Sequence, residues 1–289
     1  MTDYVSLTEL RTLTRQRADM ENSQFVTDTE VTRYLNNSWG ELYSLISDNF
    51  NEDYYTTSTT FSLTSGTDSY DLPSDFYKSR GVDLVVTSTE SVPLRRYNWA
   101  ERTRNNLTVY ARDYKYRIQK GSIVFSPVPS TNDSIKLYYI PSPKRLISKT
   151  TTAITRGAST MWTVGANHGF VVGDTITGQN FLATDYNVDQ TVSAVGAATV
   201  STDLDSTGLS DPTTYGSIES RFDFYAGWDE YIIVDSAIKM LVKEEQDVTG
   251  LMVQKNMLKE RVITESQNRD AGEPQVVTDV VAYEKYYYA

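Results

Sequence analysis

The chain has 289 residues, enough for one large or two modest domains with a hydrophobic core. It has no cysteine and a single histidine, His168, which disfavours disulfides, thiolate zinc sites, cysteine nucleophiles and a Ser-His-Asp triad. A formal net charge of −11 disfavours an ordinary nucleic-acid binder, and no segment resembles a signal peptide or a membrane span, so we expect a soluble protein made in a cytoplasm.

Two helices are predicted near the N-terminus, each opened by a capping box. The first box is Ser6-Leu7-Thr8-Glu9 and the second is Thr27-Asp28-Thr29-Glu30. After the second box, apolar residues recur every three or four positions, which is typical of an amphipathic helix. These residues are Val31, Leu35, Trp39, Leu42 and Ile46. We interpret the stripe as core rather than as a ligand site.

From Tyr54 onward the apolar period changes to two, which is typical of strands. The alternating residues are Phe61, Leu63, Tyr70, Leu72, Val82, Leu84, Val86, Ile135, Leu137 and Tyr139. A hairpin is predicted at the Lys120-Gly121 turn, between Tyr114, Tyr116 and Ile118 on one side and Ile123 and Phe125 on the other. This part therefore predicts an antiparallel, half-exposed β layer.

Residues 150–220 differ in composition and are rich in Thr, Ser, Gly, Ala and Asp, with no Lys or Arg between 157 and 220. Strand-like pieces occur at 161–164, 170–172, 175–177 and 192–195. We interpret the segment as a small all-β domain inserted into the first domain. The alternative, a long disordered loop, is disfavoured by its Val, Phe, Trp and Tyr content.

The run 221–271 predicts two antiparallel helices joined by a short turn. The apolar stripe of the first consists of Tyr231, Val234, Ile238, Leu241 and Val242, and that of the second of Leu251, Leu258 and Val262. Asp247 is placed to cap the second helix. Neither helix can bury its stripe alone, so we expect both to pack on the N-terminal helices in a bundle built from both chain ends.

The C-terminal segment 272–289 predicts an extended, apolar and aromatic tail. Such a segment is favoured to dock on a partner or neighbouring subunit by strand addition. The predicted docking residues are Val276, Val277, Val280, Val281, Tyr283, Tyr286, Tyr287 and Tyr288.

A search for catalytic and cofactor motifs finds none. No Gly-rich phosphate loop is present, and the insert's Asp residues lack calcium-loop spacing. The adjacent carboxylates Asp229-Glu230 and Glu244-Glu245 point to different helix faces, so we interpret them as solvated or paired with Arg. We predict no enzyme, no cofactor and no metal.

Residues 95–120 form a basic run in an otherwise acidic chain, with eight Lys or Arg against Glu101 and Asp113. The candidate residues are Arg95, Arg96, Arg102, Arg104, Arg112 and Arg117, interleaved with Tyr97, Trp99, Tyr110, Tyr114 and Tyr116. One interpretation is a surface that tracks a phosphate backbone with stacking. The other, which we favour, is a basic face that pairs with acidic faces of neighbouring subunits.

Several segments resemble tailed-bacteriophage head-to-tail adaptor (connector or neck) proteins. One is Tyr70-Asp71-Leu72-Pro73-Ser74-Asp75-Phe76-Tyr77-Lys78 and another is Trp228-Asp229-Glu230-Tyr231-Ile232. The others lie at 19–22, 25–30, 34–37, 80–83, 243–247 and 269–274. The resemblance covers roughly 5–145 and 221–280, and the insert departs from the short adaptors.

The resemblance implies a virion protein that forms a ring, usually of twelve copies, beneath the portal protein. Genomic DNA would leave through the central channel without sequence-specific binding, and a downstream tail or nozzle protein would dock below. The family's C-terminal segment typically reaches the portal, and its helical bundle is similar to the one predicted here. No membrane is implied, and assembly would take place in the host cytoplasm.

We therefore expect an α+β fold with an adaptor core at 1–149 and 221–271, an inserted β domain at 150–220 and a docking tail at 272–289. Two rival functions remain open. One is an enzyme with an acidic site, for which the sequence offers no carboxylate pair. The other is an accessory protein whose insert binds host glycan through exposed Trp162 and Tyr186.

Overall fold

The computed structural model describes residues 4–22, 25–49, 55–101, 114–212, 214–223 and 227–267. Within these ranges the fold is α+β, with four α-helices and sheets that are almost entirely antiparallel. The helices are α1 (Leu7–Arg17), α2 (Asp28–Asn49), α3 (Asp229–Lys243) and α4 (Thr249–Gln267). The strands are β1 (Tyr4–Ser6), β2 (Thr57–Ser62), β3 (Ser69–Asp71), β4 (Phe76–Val85), β5 (Ser91–Pro93), β6 (Arg95–Arg96), β7 (Lys115–Gln119), β8 (Ser122–Ser126), β9 (Ser134–Pro141), β10 (Ser148–Thr150), β11 (Ala153–Thr155), β12 (Thr160–Thr163), β13 (Thr175–Gln179), β14 (Asp189–Val195), β15 (Thr199–Thr202) and β16 (Ser217–Asp223).

Helices from the two ends of the sequence share one hydrophobic core. The stripe predicted on α2 is buried, with Val31, Leu35 and Leu42 at 0% exposure, and it packs against α3. Helix α3 contacts α1, α2 and α4 and is therefore the central helix. A central helix keeps little solvent-facing surface, which is why Ile232 and Ile233 are buried outside the predicted stripe. The placement of Val242 in that stripe is wrong, because this residue is 55% exposed near the end of α3.

The predicted caps set the helix starts. The Thr27 N–H donates to Glu30 Oε2 at 3.0 Å and the Glu30 N–H donates to Thr27 Oγ1 at 3.3 Å, which is the reciprocal pattern of a capping box. At α1, the Glu9 N–H donates to Ser6 Oγ at 3.2 Å. At α4, the Thr249 N–H donates to Asp247 Oδ1 at 2.9 Å. Local sequence chemistry thus decides where these helices begin.

The predicted β layer consists of two four-stranded sheets with a common core. One has the order β2-β9-β4-β5 and the other β3-β8-β7-β6. The predicted hairpin around Lys120-Gly121 is confirmed as β7 and β8. The alternation places Ile123, Phe125 and Leu137 between the sheets at 0–1% exposure. Strand β6 departs from the antiparallel pattern, because it pairs in parallel with β7.

The remaining strands form an eight-stranded sheet with the order β1-β16-β13-β14-β15-β12-β11, in which β10 also pairs with β16. Its core surrounds Trp162, whose ring lies 5.3 Å from Phe181 and 5.9 Å from Tyr186. The strand predicted at 170–172 is wrong, since this piece is a turn between Gly169 (φ 85°) and Gly173 (φ 88°). Two glycines at positive φ reverse the chain there, which a strand does not allow.

We expect Trp162→Ala to destabilise this eight-stranded sheet by about 3–5 kcal/mol, because the fully buried indole leaves a cavity. Hydrogen exchange would show faster amide exchange in β12 and β15, with α2 unchanged. The matched control is Trp99→Ala, whose side chain is 52% exposed. Equal protection in β12 before and after the substitution would contradict the assignment of Trp162 as the centre of this core.

Candidate functional site

Charged side chains between α2, α3 and α4 form a closed network. The Asp235 carboxylate, 3% exposed, accepts hydrogen bonds from Lys239 Nζ and Lys255 Nζ at 2.6 Å each. Glu41 on α2 accepts from the same two ammonium groups at 2.8 and 3.3 Å. Two carboxylates and two ammonium groups therefore alternate, so each charge faces opposite charges. The network holds α4 against the other two helices.

The titration behaviour of the network follows from burial and ion pairing. Burial acts to raise the pKa of Asp235, but the hydrogen bonds from Lys239 and Lys255 outweigh it and hold that pKa below its usual value. Burial acts to lower the pKa of Lys255, and the Asp235 carboxylate outweighs it and raises that pKa. Both groups are therefore ionised at neutral pH and act as structural charges.

A second buried carboxylate joins the N-terminal helix to the eight-stranded sheet. Glu219 on β16, 2% exposed, accepts hydrogen bonds from the Thr8 N–H at 2.9 Å and the Thr8 hydroxyl at 2.7 Å. The Ser148 hydroxyl donates to it at 2.9 Å, and Arg11 Nη1 lies 3.4 Å away. A carboxylate at the first turn of α1 also suits the positive end of the helix dipole. Glu219 thus ties α1, β10 and β16 together.

The described start of the basic run, strand β6, lies at the edge of its sheet. The parallel pairing places Arg95 beside Lys115 and Arg96 beside Tyr116, and both arginines are exposed. The Arg117 guanidinium lies 5.4 Å from the ring centroid of Trp99. The exposed Arg95 and Arg96, with the half-buried Arg117 against an aromatic ring, suit either carboxylates or phosphates. Of the predicted basic residues, Arg102, Arg104 and Arg112 lie outside the described ranges.

A second basic surface, the basic groove, was not predicted from sequence. It has a volume of about 570 Å³ between α2 and the segment after β9, and its cations are Arg33, Lys144 and Arg145. The wall is rigid, because Trp39 Nε1 donates to the Lys144 carbonyl at 2.9 Å and Asn36 exchanges two hydrogen bonds with the Leu146 backbone. The two arginines are far apart in the sequence, so no local pattern indicates the groove.

The cations of the basic groove differ in their partners. Lys144 forms an ion pair with Asp174 of the same chain. The side chains of Arg33 and Arg145 are exposed and have no hydrogen-bond or ion-pair partner among the described residues. Two unpaired guanidinium groups on the rim of a groove favour an anionic ligand.

Helix α4 also carries an apolar outer face that the sequence analysis missed. Met252, Val253 and Met257 are 48%, 58% and 69% exposed, although Leu251, Leu258 and Val262 pack inward as predicted. Apolar residues occupy two sides of this helix. The face is a candidate contact surface for another protein.

The predicted glycan contacts Trp162 and Tyr186 are wrong, because both side chains are fully buried. The Tyr186 hydroxyl donates to the Ser210 carbonyl at 3.0 Å, so its polar end is also turned inward. The size and hydrogen bonding of these aromatics suit a domain core as well as they suit a sugar site.

The remaining predictions concern the tail, the adjacent carboxylates, metal sites and membrane spans. The tail residues Val276, Val277, Val280, Val281, Tyr283, Tyr286, Tyr287 and Tyr288 lie outside the described ranges. Glu230 forms an ion pair with Arg17, as expected for a carboxylate paired with Arg. Across the described ranges, no group of three His, Cys, Asp or Glu residues is placed to hold a metal ion. None of the helices in those ranges is long and apolar enough to cross a membrane.

Among the described residues, the cations without partners in the basic groove and the apolar face of α4 are surfaces suited to association with other molecules. The sequence matches the family model described as SU10 adaptor protein over residues 5–171. The chain belongs to this family of phage head–tail adaptors, and the resemblance found in the sequence is confirmed. It is thus a bacteriophage structural protein of the virion. No curated protein matches the sequence.

Proposed function

We propose that copies of this chain close into a ring, of twelve as in the resembling family, that joins the portal vertex to the tail. The observation that carries this proposal is the adaptor family match over residues 5–171, which runs from β1 through the β layer into the eight-stranded sheet. Genomic DNA would pass through the central channel without sequence-specific contacts. The net charge of −11 supports this, because an acidic channel repels phosphate and lets DNA slide.

The proposed domain organisation is supported by the separate hydrophobic cores of the molecule. Residues 1–149 and 221–271 would form the adaptor core, supported by the core that α1 to α4 share. Residues 150–220 would form an inserted β domain, supported by the separate core around Trp162. The eight-stranded sheet itself runs past these limits, because β1 and the end of β16 belong to it. The tail 272–289 would dock on the portal protein.

The exposed edge with Arg95, Arg96 and Arg117 would be a subunit interface, with contact to the DNA backbone as the alternative. Its cations and its exposed Trp99 support either ligand. A downstream tail or nozzle protein would dock on the ring's other side. The role is one of assembly, with no catalytic step and no cofactor.

The portal experiment tests this function. Purified portal rings mixed with the full chain should give a complex whose mass corresponds to a ring of adaptor copies. A chain that ends at residue 274 should bind at least tenfold more weakly, since it lacks the tail that is proposed to dock. Mass photometry over a range of salt concentrations measures both.

Two results would contradict parts of the proposal. Failure of the full chain to bind the matching portal at every salt concentration would exclude the adaptor role. Unchanged binding by the truncated chain would exclude the tail as the docking element. Circular dichroism of the truncated chain controls for loss of the fold.

A further inference from the structure

We propose that the basic groove of one copy binds the acidic loop of a neighbouring copy's insert, the loop being residues 203–211. This inference rests on the proposed ring function and names a second pair of surfaces for contact between subunits, in addition to the edge with Arg95 and Arg96. Between residues 157 and 220 the sequence has seven carboxylates and no Lys or Arg. The groove is basic and the insert is acidic, and the groove shares no residue with the loop 203–211.

The loop presents its carboxylates in a fixed arrangement. Leu204 packs on the sheet core and Ser206 is 0% exposed, whereas Asp203 and Asp205 on alternate positions are exposed. Burial alternates along this stretch, so the buried Thr202 and Ser206 flank the two exposed carboxylates. The acidic loop thus offers two solvent-facing carboxylates.

Hydrogen bonds to the sheet hold this loop in place. The Thr160 N–H donates to the Leu204 carbonyl and the Ser206 N–H donates to the Gly157 carbonyl, each at 2.9 Å. Hydrogen bonds from Thr207 lower the pKa of Asp205, so this carboxylate is ionised at neutral pH. A preorganised ligand loses little conformational freedom on binding.

The groove is complementary to such a ligand. Arg33 comes from α2 and Arg145 from the segment after β9, so the two guanidinium groups approach a ligand from separate elements. Lys144, which also lines the groove, already binds a carboxylate of the insert, Asp174, within the same chain. Guanidinium groups bind carboxylates through paired hydrogen bonds. Arg33 and Arg145 can therefore donate hydrogen bonds to carboxylates of a second chain.

The contact joins two different surfaces of the same molecule, so it is heterologous. An interface of this kind forms a closed ring when its rotation closes. A twofold dimer would form this contact only as a reciprocal pair, with each groove holding the loop of the other copy, which requires both surfaces to lie on one face of the molecule. The copy number on the portal distinguishes a ring from such a pair.

A charge swap tests the pairing. The groove variant carries Arg33→Glu and Arg145→Glu, and the loop variant carries Asp203→Lys and Asp205→Lys. Each alone brings like charges together, and we expect about tenfold or greater loss of adaptor assembly on portal rings. Mixing the two variants, or combining all four substitutions in one chain, restores opposite charges and should restore assembly.

Controls separate this proposal from its alternatives. The variant Lys259→Glu with Arg261→Glu changes charge equally at two exposed positions outside the groove and the basic run, and it should assemble like the unmodified chain. Because Asp203 also accepts the Thr191 N–H, Asp203→Asn with Asp205→Asn keeps that acceptor and should weaken assembly while leaving thermal unfolding unchanged. The loss of assembly caused by the groove variant and by the loop variant should become smaller at high salt.

Three outcomes would overturn the pairing. Normal assembly of the groove variant excludes the groove as a subunit contact, while the ring function would stand. If the groove and loop variants both assemble poorly and combining them does not restore assembly, each surface contacts a partner other than the one proposed. Weaker binding of duplex DNA by the groove variant, with unchanged copy number on the portal, assigns the groove to nucleic acid. If the unmodified chain binds no portal, it is the proposed function that fails.

Discussion

Asp235→Asn should lower the free energy of unfolding by about 3 kcal/mol, the cost of breaking a buried ion pair on one side. The substitution keeps the shape of the side chain but removes the negative charge between Lys239 and Lys255. Glu41 remains as a partner, but it is 46% exposed and more weakly placed to offset the two ammonium charges. Denaturant unfolding monitored by circular dichroism measures the change.

The matched control is Asp48→Asn, which removes a carboxylate that is 56% exposed from its ion pair with Lys78. Surface ion pairs contribute about 0–1 kcal/mol, so this variant should stay close to the unmodified protein. If the two substitutions lowered the free energy of unfolding equally, burial would add nothing to the stabilising effect of the Asp235 network.

The same variant predicts a pH dependence. Because the pKa of Asp235 is lowered in the folded protein, its contribution is complete above the ordinary value of about 3.9 and is lost as pH falls through the folded value. The difference between the unmodified protein and Asp235→Asn should therefore be constant from about pH 5 to pH 8 and shrink below about pH 4. A difference that persisted or grew at acidic pH would contradict the assignment.

Glu219→Ala should cost about 3 kcal/mol, because it leaves Arg11 and the first turn of α1 without their buried acceptor. Amide exchange at Thr8 should accelerate, since its N–H loses its partner, while exchange in the middle of α2 should not change. Glu219→Gln retains one acceptor oxygen and should cost about 1–2 kcal/mol.

Glu9→Gln provides the comparison for Glu219. Glu9 lies beside Thr8 in the first turn of α1, but its side chain is exposed. We expect an effect within about 0.5 kcal/mol. Unaltered exchange at Thr8 in Glu219→Ala would mean that the helix start depends on the Ser6 cap alone.

Elements with strong local chemistry were predictable from sequence. The spacing of three or four residues between Val31, Leu35, Trp39 and Leu42 predicts the buried face of α2, and the capping box at Thr27 predicts its start. The period-two alternation around Ile123 and Leu137 likewise predicts strands. These signals depend on neighbours within a few residues, which a sequence displays directly.

Features that depend on distant neighbours were missed or misassigned. Trp162 and Tyr186 are suited both to a core and to a sugar site, and only the surrounding sheet shows that they are buried. Val242 fits the helical stripe, yet it lies beyond the part of α3 that the other helices cover. Periodicity identifies an apolar face but not how far a neighbour extends along it.

The functional surfaces divide in the same way. The cations of the basic run lie close together in the sequence and can be recognised there. Arg33 and Arg145 line one groove only because α2 packs beside the segment after β9. Asp235 joins Lys255 across the α3–α4 hairpin, and Glu219 reaches Thr8 from near the other end of the chain. Such pairings have no fixed spacing in sequence.

By itself, the sequence determined the helices and most strands, the acidic balance and the phage adaptor family. These follow from local periodicity, capping and composition, each of which acts over short distances along the chain. The tertiary structure decided which charges are buried and paired, which aromatics are core and where unpaired arginines form a groove. Burial and ion pairing depend on packing between distant segments, and packing exists only in the folded chain.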